Sequence, residues 1–282
     1  MLAFLIKIRA IIAEGDFVTA RSLQLSANLS FLFTDSPFEE RFARAARAGF
    51  RGVEYMFPYA WDPLELSRLL REHRLQQVLH NLPAGDWDAG ERGIACLPGR
   101  ESEFRAGLEQ GIAYARELGC VQLNCLAGVP PEGVPEAAIA ATFKSNLRHA
   151  ARQLAGSGIR LLIEPINSRV DIPGFWLDKP TKALALIAEL GEENLWLQYD
   201  IYHAQIMEGD LARSIEANIK RIAHFQLADN PGRHEPGSGE INYPFLFALL
   251  HRLGYRGWLG CEYKPLLADT ERSLAWAREW LQ

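Results

Sequence analysis

From residue 23 onward, short apolar runs alternate with longer amphipathic stretches, and the cycle repeats eight times. No other feature restricts the possible folds as much. The runs are LQLSANLS (23–30), GVEYMF (52–57), LQQVLHN (75–81), CVQLNCL (120–126), IRLLIEPI (159–166), LWLQYD (195–200), IAHFQLAD (222–229) and GWLGCEY (257–263). Each has strand length, and between them apolar residues recur at three- and four-residue spacing, as in a helix with one buried face. Eight β-then-α units imply parallel strands joined by right-handed crossovers. The α/β fold that satisfies this most economically is a single closed (β/α)8 TIM barrel. A doubly wound open sheet is the alternative, but no GxGxxG follows the first run, which lowers its dinucleotide-binding form. No linker divides the chain, and 282 residues suit one barrel of about 250 residues. The barrel is placed at 21–282, after a short N-terminal extension at 1–20.

Helix punctuation supports this reading. Ser36 with Pro37, and Asp62 with Pro63, have the form of an N-cap followed by proline in the first turn. Gly49, Gly119, Gly158 and Gly254 fall where helices should stop before the next strand. Helices are expected near 180–190, near 211–220, over NYPFLFALLHRLG and over the C-terminal TERSLAWAREWL. The extension, MLAFLIKIRAIIAEGDFVTA, is apolar but interrupted by Lys7 and Arg9, so it reads as a peripheral segment rather than a secretory signal. No stretch approaches the roughly 20 apolar residues that cross a bilayer. Cys96, Cys120, Cys125 and Cys261 form no CxxC and read as reduced thiols of a cytoplasmic protein. A net charge of −5 with acids and bases interspersed argues against a nucleic-acid partner.

Two strands end unusually. RLLIEPI delivers Glu164 and WLGCEYKP delivers Glu262, each from an apolar run and each with proline close behind. Carboxylates are almost never buried unless paired or bound to metal. In a barrel the last inward residue of each strand faces the mouth, and here that ring reads Asn28, Glu54, His80, Asn124, Glu164, Asp200, Gln226 and Glu262. Strands five to eight thus supply three carboxylates and a carboxamide. Like charges held close repel strongly at low dielectric, and a divalent cation removes the conflict. Oxygen donors of this kind suit Mg²⁺ or Mn²⁺ better than Zn²⁺. The competing reading is a salt-bridge network with Lys264, Arg233 or His203.

A cation of this kind can chelate a carbonyl and a neighbouring hydroxyl and favour an enediolate. Glu164 and Glu262 on either side would then remove one proton and return another, giving an isomerisation or epimerisation. The two longest irregular segments, 82–99 and 230–241, follow strand ends, where loops of such length are usually functional.

The blocks LSANLSFLF, GVEYMFPY, LHNLPAGDWDAGERGIACLPGRE, LNCLAG, LLIEPIN, DIPGF, QYDIYH, MEGDL, HFQLADNPGRHEPGSGEINY and GCEYKP, in order from Leu25 to Pro265, resemble the hydroxypyruvate isomerase family of xylose-isomerase-like TIM barrels. The resemblance implies a Mg²⁺ site of Glu164, Asp200, Gln226 and Glu262, with Glu164 and Glu262 as the proton-transfer pair. Related sugar epimerases commonly have histidine where Gln226 stands, and the family often carries a histidine before DIPGF where this chain reads SRV. The implied setting is cytoplasmic glyoxylate and carbohydrate metabolism, and the implied reaction is reversible conversion of hydroxypyruvate to 2-hydroxy-3-oxopropanoate.

The substrate carboxylate needs a cationic or donor partner. Lys264, Arg92 and His80 are the candidates, with Asn124, His203 and Glu54 as further substrate contacts. Glu235 is placed to cap the site or to brace its loop. Trp61, Trp87 and Trp176 are candidates for a homo-oligomer interface, a pocket wall or core packing. The rival functions are a 2-oxo-tetronate isomerase or related sugar-acid or ketose isomerase or epimerase, a metal-dependent endonuclease, and a barrel used only for binding.

Overall fold

The computed structural model describes residues 23–281, so the expected extension at 1–20 lies outside the described residues. Eight strands run in chain order around one closed parallel barrel, and β1 pairs with β8 to seal it. They are β1 (Gln24–Asn28), β2 (Gly52–Tyr55), β3 (Gln76–Asn81), β4 (Gln122–Cys125), β5 (Arg160–Ile163), β6 (Leu195–Asp200), β7 (Ile222–Leu227) and β8 (Trp258–Cys261). All eight apolar runs are therefore strands. The outer helices are α1 (Phe38–Arg47), α2 (Pro63–Glu72), α3 (Glu101–Leu118), α4 (Glu136–Leu154), α5 (Pro180–Leu190), α6 (Ile201–Met207), α7 (Leu211–Asn218), α8 (Tyr243–Arg252) and the short α9 (Thr270–Ser273).

Local chemistry sets most helix ends. Asp62 accepts hydrogen bonds from the amides of Leu64 and Glu65, with Pro63 in the first turn, as its position predicts. Gly119 ends α3 with φ +63°, a left-handed conformation that costs glycine little. Three expectations are corrected. Ser36 does not cap α1: Pro37 holds that position, and the Ser36 hydroxyl instead accepts from Arg44. The C-terminal segment is not one helix. After α9 it tightens to a 3₁₀ turn at Leu274–Ala277, which lays Trp276 and Trp280 against Phe247 of α8. Helix α6 has no counterpart among the expected helices; it begins directly at the end of β6, where Asp200 is its N-cap.

Two apolar layers hold the barrel. The larger lies between strands and helices. A small separate cluster of Val78, Leu79, Leu162 and Ala223, with Trp196 and Trp258 against it, lies toward the N-terminal ends of the strands. A Cβ at Gly52 would come within 2.6 Å of the Trp258 ring, so this layer needs glycine there. The four cysteines are free and buried. Among the described residues no helix is long and apolar enough to cross a membrane.

Candidate active site

Above the apolar plug the strand interiors turn polar, layer by layer. Ser26, Glu54, Gln198 and His224 form a buried layer. Glu54 accepts from the Ser26 hydroxyl (2.7 Å), the Gln226 amide (3.0 Å) and the Asn28 amide (3.3 Å). His224 Nε2 stands 2.9 Å from Glu54 Oε2, an ion-pair distance without hydrogen-bond alignment. Burial alone would raise the Glu54 pKa, but the adjacent His224 and these donors outweigh it and hold the carboxyl below its ordinary value. The expectation that Glu54 touches substrate is corrected. It braces Asn28 and Gln226, which in turn hold Glu262 by hydrogen bonds of 2.7 and 2.6 Å. A side chain at Gly260 would fall directly on the Glu54 carboxylate. Gly260→Ala is therefore expected to destabilise the protein by about 1–3 kcal/mol. A lower urea midpoint at unchanged slope would show it; an unaltered midpoint would mean that the niche is slack.

The next layer carries the acids. Asn124, at the end of β4, donates to Glu164 Oε2 (2.7 Å) and to Asn81 (3.2 Å). Asp200 Oδ1 is taken by the first amides of α6, Tyr202 and His203. Its other oxygen, Oδ2, is buried without a hydrogen-bond partner among the described residues and lies 3.8 Å from His203 Nε2. Glu164, Asp200 and His203 each offer a ligand atom, all within 4.8 Å of one another. Burial, with Asp200 adjacent, pushes the Glu164 pKa up to about 8. Burial raises Asp200 to about 6 against the pull of Arg233, and Glu262 lies well above its ordinary value for the same first reason. Three acids whose pKa values burial raises, with Asp200 lacking a hydrogen bond at one oxygen and only Arg233 as a nearby cation among the described residues, fit a divalent cation as further counter-charge.

The cavity above this layer has a volume of about 190 Å³. Glu164, Glu262, Asp171, His203, Asn81, Arg92 and Arg233 face it, and Phe31, Trp87 and Ile166 form much of its apolar wall. Arg233 bonds Glu262 Oε1 (2.5 Å) and Asp171 Oδ1 (3.1 Å), beside the Phe31 and Tyr202 rings. Its loop is tied down on several sides. Asp229 accepts the amides of Asn230, Gly237 and Ile241, and Lys264 N donates to Arg233 O. Glu235 accepts from Leu266 N, so it braces the loop.

Of the predicted substrate contacts, only Arg92 and His203 reach the cavity wall. Asn124 lies beneath, holding Glu164. His80 is corrected: it faces outward, with Nε2 3.4 Å from Gly111 O in α3, and burial lowers its pKa to about 4. Asn81 takes the mouth position because it is in register with Asn124, and parallel neighbours in register point the same way. Lys264 is corrected too. Strand β8 ends at Cys261, so alternation no longer applies three residues on, and Lys264 is solvent-exposed. Sequence reasoning treats Arg233 only as an ion-pair partner and misses Asp171 and Asn167 altogether. Asn167 holds both Asp171 (2.6 Å) and His203 (2.7 Å). Trp87 proves to be pocket wall, Trp176 core, and Trp61 packs on Phe38.

An eight-stranded barrel with clustered acids at the C-terminal ends of its later strands defines a class of enzyme scaffold. The chain belongs to the xylose isomerase-like TIM barrel family, whose model matches residues 42–280. More particularly, it is 54% identical over 254 residues to the hydroxypyruvate isomerase of Escherichia coli (strain K12), covering 90% of this chain and 98% of that one. It is 44% identical over 258 residues to the 2-oxo-tetronate isomerase of Cupriavidus necator, covering 92% and 98%. A solved structure from Brucella melitensis, described as an AP endonuclease of family 2, matches with a TM-score of 0.89 and 46% identity, over 92% of this chain and 99% of that one.

Proposed function

We propose that the protein is a metal-dependent isomerase that interconverts hydroxypyruvate and 2-hydroxy-3-oxopropanoate. The observation that carries this reading is the pair Glu164 and Glu262, both buried and both facing one small cavity. The 54% identical relative bears the same activity in its name. Four buried thiols and the absence of a membrane-crossing helix among the described residues fit a cytoplasmic enzyme.

Glu164, Asp200 and Glu262 would hold the cation, with His203 in ligand reach of the first two. Gln226 would join them once its amide is turned, because its oxygen here accepts from Gln198 while its NH2 donates to Glu262. Mg²⁺ or Mn²⁺ suits the oxygen donors. When bound, the ion supplies Lewis acidity and counter-charge toward the substrate's carbonyl and neighbouring hydroxyl. The protein's own groups do the rest. One glutamate takes a proton from the hydroxymethyl carbon, and the other delivers one to the adjacent carbon, while the hydroxyl proton passes between the two oxygens. Asn124 and Asn28 fix the two carboxylates through hydrogen bonds of 2.7 Å each, so neither glutamate must reorganise during transfer. The walls of Phe31, Trp87 and Ile166 exclude water from the developing charge.

The cavity of about 190 Å³ is smaller than the about 300–1,000 Å³ typical of drug-sized ligands, which favours a substrate of a few carbons. It also disfavours a duplex backbone, in a chain of net charge −5, although the Brucella relative is described as an endonuclease. The 44% identical relative keeps a four-carbon acid in play. Comparing kcat/KM for hydroxypyruvate and 2-dehydrotetronate decides between them. A preference for hydroxypyruvate is expected; about a hundredfold preference for the other acid, some 2.7 kcal/mol in transition-state binding, would overturn the assignment.

A further inference from the structure

Two guanidinium groups face the cavity, and they differ in what already holds them. Arg233 is consumed by acids: each terminal nitrogen bonds a carboxylate, Glu262 on one side and Asp171 on the other. Its charge is therefore already balanced by two carboxylates, although its buried Nε makes no hydrogen bond to any described residue. Arg92 has no acidic partner among the described residues, where no carboxylate lies in ion-pair range of it. One terminal nitrogen, Nη1, donates to the backbone carbonyls of Trp87 (2.9 Å) and Glu91 (2.7 Å). Nε and Nη2 make no hydrogen bond to any described residue. The acid next to it, Glu91, is turned away, clamped by Arg100 and by the Asp86 amide.

The perch of Arg92 is built to stay in place. Its guanidinium lies 4.3 Å from the Trp87 ring centre, and Trp87 packs against Phe57 at 4.9 Å. The next residue, Gly93, donates to Ala84 O and sits at φ +119°. A Cβ there would come 2.6 Å from Leu126 O, so the loop is pressed against the end of β4. A cation with a fixed fork, free donors and a rigid aromatic support, at the wall of a cavity otherwise rich in acids, matches the two oxygens of a carboxylate.

We propose that Arg92 receives the substrate carboxylate and makes the protein select anionic 2-oxo acids over neutral hydroxy ketones of the same size. This deepens the isomerase reading and rests on it for the identity of the reacting acid. The Arg92 fork would hold the carboxylate on the β3 side, leaving the remaining carbons beside Glu164 and Glu262, which come from the β5 and β8 ends.

The test uses two small probes of near-equal size, pyruvate and hydroxyacetone, titrated calorimetrically into the Mg²⁺-loaded protein, with the heat of any isomerisation of hydroxyacetone to 2-hydroxypropanal measured separately and subtracted. In Arg92→Met, pyruvate affinity is expected to fall about tenfold to a hundredfold, as for a lost charge-assisted hydrogen-bond pair, with hydroxyacetone changed less than about twofold. KM for hydroxypyruvate should rise by a similar factor while kcat stays within about threefold. Arg92→Lys, which keeps the charge but not the fork, should recover part of the pyruvate affinity. The proposal is overturned if the wild-type protein does not prefer pyruvate, if both probes weaken alike, or if Arg233→Met alone abolishes the preference. Arg92-dependent pyruvate binding in a wild-type protein that does not turn over hydroxypyruvate would instead uphold the carboxylate site and sink the isomerase assignment.

Discussion

Glu164→Gln and Glu262→Gln should each lower kcat by about 10²–10⁴-fold while circular dichroism and thermal unfolding still report a folded barrel. The expectation follows from what the two side chains do. Each is a buried proton acceptor at the cavity wall, and the amide replacement keeps the shape but cannot take or return a proton at working pH. The two variants should differ in stability. Glu262 neutralises Arg233, so its replacement leaves that buried cation with Asp171 as its remaining direct partner and should lower Tm. Glu164 has no direct cationic partner among the described residues and bonds Asn124, so its amide should be tolerated. Solvent-deuterium exchange at the substrate's hydroxymethyl carbon separates the roles further, because loss of the abstracting glutamate stops exchange and loss of the donor need not. Turnover within twofold of wild type in either variant would remove that residue from the reaction.

Stripping divalent cations with a chelator should abolish turnover and also make stability depend on pH in an unusual direction. An acid whose folded pKa is raised keeps a proton that the unfolded chain releases. Glu164 titrates near 8 in the folded chain against an ordinary 4.5, and Asp200 near 6 against 3.8. Their contributions are complete below the ordinary values and are lost as pH climbs through the raised ones. Tm of the stripped protein should therefore fall between about pH 5 and about pH 8. Adding Mg²⁺ or Mn²⁺ should restore it, with a gain that grows with pH because binding needs both carboxylates ionised. Stripped Glu164→Gln should show a flatter profile than stripped wild type, since its amide has no proton to lose. A stripped wild-type protein with equal Tm at both ends of that range, and no response to either cation, would refute the shared site.

Both experiments probe residues that are legible in the amino-acid sequence. Glu164 and Glu262 stand out because a carboxylate at the end of an apolar strand is costly without a partner, and that cost is visible in a string of letters. The eight strands are equally plain, because alternation of apolar runs with helical spacing is a local pattern. The supporting set is harder to see. Asp200 emerges as a strand-end acid, but its second duty, capping α6, depends on the chain turning into a helix without a loop. Arg233 lies in a long irregular segment whose path is set by Asp229 and by contact with the β8 loop, neither of which leaves a periodic trace.

What the amino-acid order alone determined, then, was the closed barrel, the positions of its strands, and the acids at their ends, all consequences of short-range periodicity and of desolvation cost. Which neighbour of each strand end enters the mouth was decided only by tertiary structure. Register shifts between Val53 and Glu54 and between Leu197 and Gln198 alter how adjacent strands align, which no single strand reveals. Thus Asn81 faces in and His80 out, Lys264 goes to solvent past the end of β8, and Arg92 is left, among the described residues, as the cavity's unpaired cation. The reason is the same each time: a side chain's direction depends on hydrogen bonds to segments far away in the chain, whereas its burial preference belongs to the residue itself.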